Sequence, residues 1–174
     1  NILMVTPVHP STPHISGVRA WRFAQELARR GHRVVLLTAA DGGLQSGSPL
    51  ISECHDWSQP AIAAVPCVRP ATQDVRSGNL LAKALTVMQM LRHGGRSDDW
   101  VNRAVNTAAA WTGRFRADVV WCTFGLLEAV VAARRIAAAT HCPWVLDVKD
   151  NWELYVPRGM RRVMAWRIAG FSEV

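Results

Sequence analysis

The chain has 174 residues, 49% of them apolar, and a net charge of +7 at neutral pH. That length suits one globular domain, and the apolar content is too high for a disordered chain. No apolar run reaches the ~18 residues of a membrane span, and the positive balance points to anionic partners, whether nucleic acid, a membrane surface or a phosphorylated ligand.

Residues 2–6, ILMVT, form a short apolar run ending at Thr and Pro, the mark of a strand buried on both faces. The stretch TPVHPSTPHISGVRAW, residues 6–21, then brings three prolines, two histidines and a glycine. A plain strand-to-helix connection takes about 2–6 residues, and this one spends roughly twice that before Gly17. Loops of that length are usually functional or disordered.

Residues 18–30 are predicted helical, with Ala20, Phe23, Ala24, Leu27 and Ala28 on one face and Gly31 as the stop. RVVLLT, 33–38, is a second buried strand, which completes a βαβ unit with an expected right-handed crossover. Residues 39–61 are rich in Gly, Ser, Pro and Asp and read as loop. IAAVPCV, 62–68, holds a third strand that Pro66 ends or confines to a sheet edge. NLLAKALTVMQMLRH, 79–93, is a sparsely charged helix starting at Asn79, and residues 98–114 are another helix. DVVWCT (118–123), LLEAVVAARRIAAAT (126–140) and PWVLDV (143–148) read as strand, helix and strand. A last helix is expected over about 158–171.

Alternating strands and helices indicate an α/β fold: a Rossmann-like, doubly wound parallel sheet with helices on both faces. In such sheets ligands bind beyond the carboxyl ends of the strands. Three segments converge there: the 7–17 loop, the loop after Thr123 and the loop after Val148. Gly17 lets a ligand approach the backbone where the free N–H groups of a helix start face an anion. It equally suits a mere turn. His9 and His14 can face a phosphate or lie solvated in the loop, and two histidines alone do not make a metal site.

VLDVKDNWE, 145–153, places Asp147 inside an apolar strand, where a carboxylate needs a partner. Lys149 and Asp150 follow at the strand's carboxyl end. These charges form an ion-paired structural cluster, or else Asp150 handles a proton or orients an acceptor while Lys149 faces an anion. Glu153 is a further acid of the same stretch, and Trp152 can stack on a sugar ring. The fingerprints G-x-G-x-x-G, G-x-x-x-x-G-K-[ST] and G-x-S-x-G are all missing, which argues against dinucleotide, P-loop and α/β-hydrolase chemistry. Cys54, Cys67, Cys122 and Cys142 show no Cys-x-x-Cys spacing, so buried thiols of a reducing compartment are expected.

The run ILMVTPVHPSTPHISGVRAWRFAQELARRGHRVVLLT, with ADVVWCTFGLLEAVVAARRIAAATHCPWVLDVKDNWE, resembles the N-terminal domain of glycosyltransferase family 4 enzymes, which have the GT-B fold. The likeness covers residues 2–38 and 117–153. It lies in the proline-containing loop, the "RRGH" turn, and DVKDNW where members carry a D-L-R-D-x-W sequence. It implies that residues 1–174 are the acceptor-side half of a retaining, metal-independent enzyme, with no cofactor. The partners would be a nucleotide diphosphate sugar and a sugar or lipid-linked sugar acceptor, with no nucleic acid.

Carried over by position, Ser16 and Gly17 occupy a Gly-Gly pair that meets the donor's phosphates or sugar. Asp150 matches an acid of the site. Lys149 stands where relatives have histidine or arginine; it offers a point charge in place of a planar fork. His9, His14, Asp147, Trp152 and Glu153 are the acceptor-side candidates. The family's nucleotide-sugar domain lies beyond this chain, whose abrupt ends suggest a piece of a longer protein. A cytoplasmic location follows, with peripheral contact to an anionic membrane through the segments 79–93 and 158–167 unless these are ordinary core-facing helices. The alternative is a non-catalytic binding module or one half of a split transferase.

Overall fold

A computed structural model describes residues 1–40, 56–66, 98–111, 113–124 and 126–148. The predicted segments 79–93 and 158–171 lie outside the described residues, as do Cys54 and Cys67. The elements run β1 (Ile2–Val5), α1 (Ile15–Arg29), β2 (Val34–Ala39), β3 (Ala61–Val65), α2 (Asp98–Ala110), β4 (Val119–Phe124), α3 (Leu127–Thr140) and β5 (Trp144–Val148). The five strands form one sheet in the order β3-β2-β1-β4-β5, parallel throughout.

This is the doubly wound arrangement expected from the alternation of strands and helices. The chain steps from β1 to β2 in one direction and from β4 to β5 in the other. Crossovers of the same hand then require α1 and α3 on opposite faces, and the two apolar clusters lie accordingly. On one face Leu3, Val5, Val35, Leu37, Val120 and Cys122 pack against Trp100, Ala104 and Ala108 of α2 and against Val130, Ala133, Ile136 and Ala137 of α3. On the other, Met4, Val34 and Leu36 pack against Ala20, Ala24 and Ala28 of α1. Alanines on the helix faces let the helices lie close on the valine- and leucine-rich strands.

Two boundaries differ from the expectation. α1 starts at Ile15, three residues before the predicted start at Val18, because His14 caps it: its backbone is extended, and Nδ1 accepts a hydrogen bond from the Ser16 N–H. α2 ends at Ala110, not 114. Turns with Trp111 N–H on the Ala108 carbonyl and Phe115 N–H on the Trp111 carbonyl bring Phe115 back into the core. At the end of α1, Gly31 takes φ 87°. The His32 N–H then reaches the Leu27 carbonyl and the Gly31 N–H the Ala28 carbonyl. This paired closure needs a left-handed residue, which explains the glycine of "RRGH". β3 stops at Val65 on the sheet edge, directly before Pro66.

Candidate functional site

The strand order reverses between β1 and β4, and a doubly wound sheet opens its crevice beyond the carboxyl ends at that point. Three described segments meet there: the chain after β1, the start of α1, and the carboxyl ends of β4 and β5.

The loop after β1 is held by its own hydrogen bonds. The Thr6 N–H continues the ladder to the Leu37 carbonyl, and the Thr6 hydroxyl accepts from the Val8 N–H at 3.3 Å. The Thr12 N–H closes a turn on the His9 carbonyl at 3.0 Å, with Pro10 at its first central position. The His14 N–H closes a tighter turn on the Thr12 carbonyl at 2.7 Å, around Pro13. Proline fixes the backbone at the angle both turns need, so the three-proline loop is ordered, not slack. Both histidines serve this order. His9 Nδ1 accepts from the Ser11 N–H at 3.1 Å, as His14 Nδ1 does from Ser16 at 3.2 Å. Each bond places the unprotonated ring nitrogen at Nδ1.

Gly17 lies in the first turn of α1. A β-carbon there would sit 2.7 Å from the His9 carbonyl oxygen and 3.1 Å from a Val8 methyl. The glycine therefore lets the loop fold directly onto the helix. The Gly17 and Val18 N–H groups both point to the His14 carbonyl, at 3.1 and 3.2 Å, and that of Ser16 is taken by the His14 ring.

Across the carboxyl edge, one layer of side chains on the α1 face is polar. Thr123 is in register with Asp147, and Thr6 and Thr38 each lie one position past the last pairs joining β1 to its neighbours. Thr6, Thr38 and Thr123 are all buried. Asp147 is the one carboxylate of this layer. Its Oδ2 accepts from Arg19 Nη2 at 2.9 Å, from Arg19 Nε at 3.3 Å and from the Thr123 hydroxyl at 3.1 Å, and its Oδ1 accepts from Arg19 Nη2 at 3.2 Å. The pair is partly buried, with side chains 32% and 23% exposed. The Arg19 guanidinium also lies 5.2 Å from the centre of the Phe23 ring, and Phe23 stacks on Trp121 of β4 at 5.7 Å. Beneath this layer, on the other face, burial and then the Asp147 charge push the Cys122 thiol from 9.0 to about 12. Cys122 is thus a neutral core residue, not a nucleophile.

Of the residues expected from the sequence, Ser16, Gly17, His9, His14 and Asp147 come to this one edge. Lys149, Asp150, Trp152 and Glu153 lie outside the described residues; β5 ends at Val148 on the same edge. Arg19 was missed. Its signal was indirect: a carboxylate within an apolar strand demands a cation, and the topology lays the start of α1 over that strand's end. The polar layer had a plainer signal, since three strand segments all end in Thr. Among the described residues no group of three His, Cys, Asp or Glu side chains is placed to hold a metal, and no helix is long and apolar enough to cross a membrane.

Two hollows among the described residues lie elsewhere. A groove of about 380 Å³ opens at the amino edge of the sheet between Leu3, Trp111, Phe115 and His141. A shallower one of about 260 Å³ lies over Arg22, Gln25, Arg29 and Gln59. Neither adjoins the polar layer.

No family model and no curated protein matches the chain. A solved structure that matches is the C-terminal domain (residues 78–226) of a hydrogenase from Pyrococcus furiosus, at 13% identity and a TM-score of 0.43, over 84% of this chain and 87% of that one. So distant a likeness has no bearing on function.

Proposed function

We propose that this chain is the N-terminal, acceptor-side domain of a GT-B glycosyltransferase, and that the whole enzyme moves a sugar from a nucleotide diphosphate sugar to an acceptor hydroxyl. One observation carries the reading. The two segments that resemble glycosyltransferase family 4, residues 2–38 and 117–153, are joined at the carboxyl edge by the Arg19–Asp147 pair. A crevice at that edge is where a doubly wound sheet receives a ligand.

In this reading Asp150 and Lys149 act on the acceptor or the transferred sugar from the chain beyond β5. The ordered loop of His9 and His14 forms the facing wall. Ser16 and Gly17 hold that wall against α1. Their N–H groups already have acceptors, so the leaving diphosphate is stabilised chiefly by cationic side chains and by the second domain. Trp152 and Glu153 complete the acceptor side. Transfer with retention, without a metal, at the cytoplasmic surface of an anionic membrane is the form the resemblance favours.

The test uses the full-length protein. A UDP-, GDP- or ADP-sugar should raise its melting temperature. Asp150→Ala should lower turnover by a hundredfold or more, the scale of losing a group that acts on the reacting atoms, with no change in melting temperature. Unchanged turnover removes Asp150 from the site.

A second reading, a non-catalytic binding module or half of a split transferase, is favoured by the occupied N–H groups at the start of α1, which leave no ready cradle for a phosphate. It prevails if no nucleotide sugar shifts the melting temperature.

A further inference from the structure

From the contacts at the carboxyl edge we infer that Arg19 is a positioning residue, which latches the end of β5 to the start of α1 and so fixes the width of the crevice. The inference rests on the proposed function for its purpose, and on geometry for its existence.

The latch joins parts of the chain 128 residues apart. α1 carries the 6–14 loop on its first turn, through the contact of Gly17 with the His9 carbonyl. Arg19 follows two residues after Gly17, at the start of the next turn. Its Nε and Nη2 both reach Asp147, one residue from the end of β5. β5 is the outermost strand on its side of the described sheet, paired to β4 alone. An outer strand is held by one ladder and frays at its end more readily than an inner one. The pair supplies the missing hold from the side. A two-pronged guanidinium–carboxylate contact fixes direction as well as distance. The Thr123 hydroxyl on Oδ2 and the Phe23 ring beside the guanidinium keep both partners in place. Arg19 thus acts through Asp147, and the chain leaving β5 starts from a fixed point relative to the loop of His9 and His14.

Hydrogen exchange in the full-length protein tests this without any substrate. In Arg19→Met and Asp147→Asn, exchange in peptides covering residues 7–17 and 143–148 should quicken about tenfold, as for a locally opened segment, while peptides of β2 and α3 keep their rates. Arg19→Lys, a point charge without the fork, should restore part of the protection. Thr123→Val, the mildest change, should quicken the same two peptides by a smaller factor and serves if a charge variant fails to fold. In the transfer reaction, the latch variants should lower kcat and leave the KM of the donor unchanged. Unaltered exchange in both peptides, or a uniform rise across the chain, overturns the inference. A wild-type protein that binds no nucleotide sugar defeats the proposed function instead, and leaves the latch to the exchange result.

Discussion

The two faces of the sheet are covered to different degrees, and the chemistry follows the difference. Five strands about 4.8 Å apart make a surface roughly 19 Å wide, and one helix with its side chains is about 10–12 Å across. α2 and α3 together cover one face, and every strand residue of β1 and β2 on it is buried, while the end of β5, at Val148, is exposed. Among the described residues α1 alone packs on the other. It seals β1 and β2, but over β4 and β5 the surface opens: Phe23 is 44% exposed and Val145 47%. The charged pair and the partly open threonine–carboxylate layer lie on that side. A carboxylate is affordable where a helix only half covers the strands, since water and Arg19 share its solvation. On the sealed face the counterpart is Cys122, a thiol whose ionisation is pushed up to about 12.

The largest expected effect sets that sealed face apart. Burial and then the Asp147 charge hold the Cys122 thiol at about 12, against 9.0 without them. In the unfolded chain the thiol ionises above about pH 9 and releases its proton, and in the folded chain it does not. Its contribution is therefore complete below pH 9 and is lost as pH rises toward 12, at about 1.4 kcal/mol per pH step, or roughly 4 kcal/mol in all. Urea unfolding of the wild type between pH 8 and 11 should show about two of these three pH steps, roughly 2.7 kcal/mol, and Cys122→Ala should flatten the curve. A parallel curve for the variant would mean that the face is wetter than its packing.

Next in size is the contact that ties the loop to α1 on the open face. In Gly17→Ala the added methyl meets a backbone oxygen, which cannot swing away as a side chain would. Thermal unfolding should show a loss of about 2 kcal/mol, the usual cost of overpacking, well above the gain of up to about 1 kcal/mol that Gly→Ala gives in an open helix. A stabilised variant would show that the loop does not rest on the helix.

How much of this was legible depended on how local the cause was. The strands were legible because burial on both faces leaves unbroken apolar runs, and the end of α1 because only a glycine suits Gly31. The start of α1 was not, since histidine is seldom a cap and the apolar spacing begins only at Ala20. Asp147 was legible as a carboxylate in need of a partner, but the identity of that partner depends on which helix lies over which strand. Gly17, two residues inside the observed helix, was legible as the entry to a helix at Val18, and the groups that the Ser16 and Gly17 N–H bonds reach, the ring and carbonyl of His14, depend on the turn that sets them. Asp150, Lys149, Trp152 and Glu153 rest on the sequence alone.

The smallest effect compares the faces most directly. Val→Thr keeps the branched shape and the strand preference and exchanges one methyl for a hydroxyl, so it reports on wetness and little else. At Val120, fully buried under α3, the hydroxyl loses water and meets only apolar neighbours, and urea unfolding should register a loss of about 2 kcal/mol. At Val145, on the open side of β5, the same change keeps its water and should cost under about 0.5 kcal/mol. Two nearby strands of one sheet would then differ about fourfold in their response to one atom. Equal losses at the two sites would mean that the open side of β5 is covered, and the latch would have to be understood as part of a second sealed face.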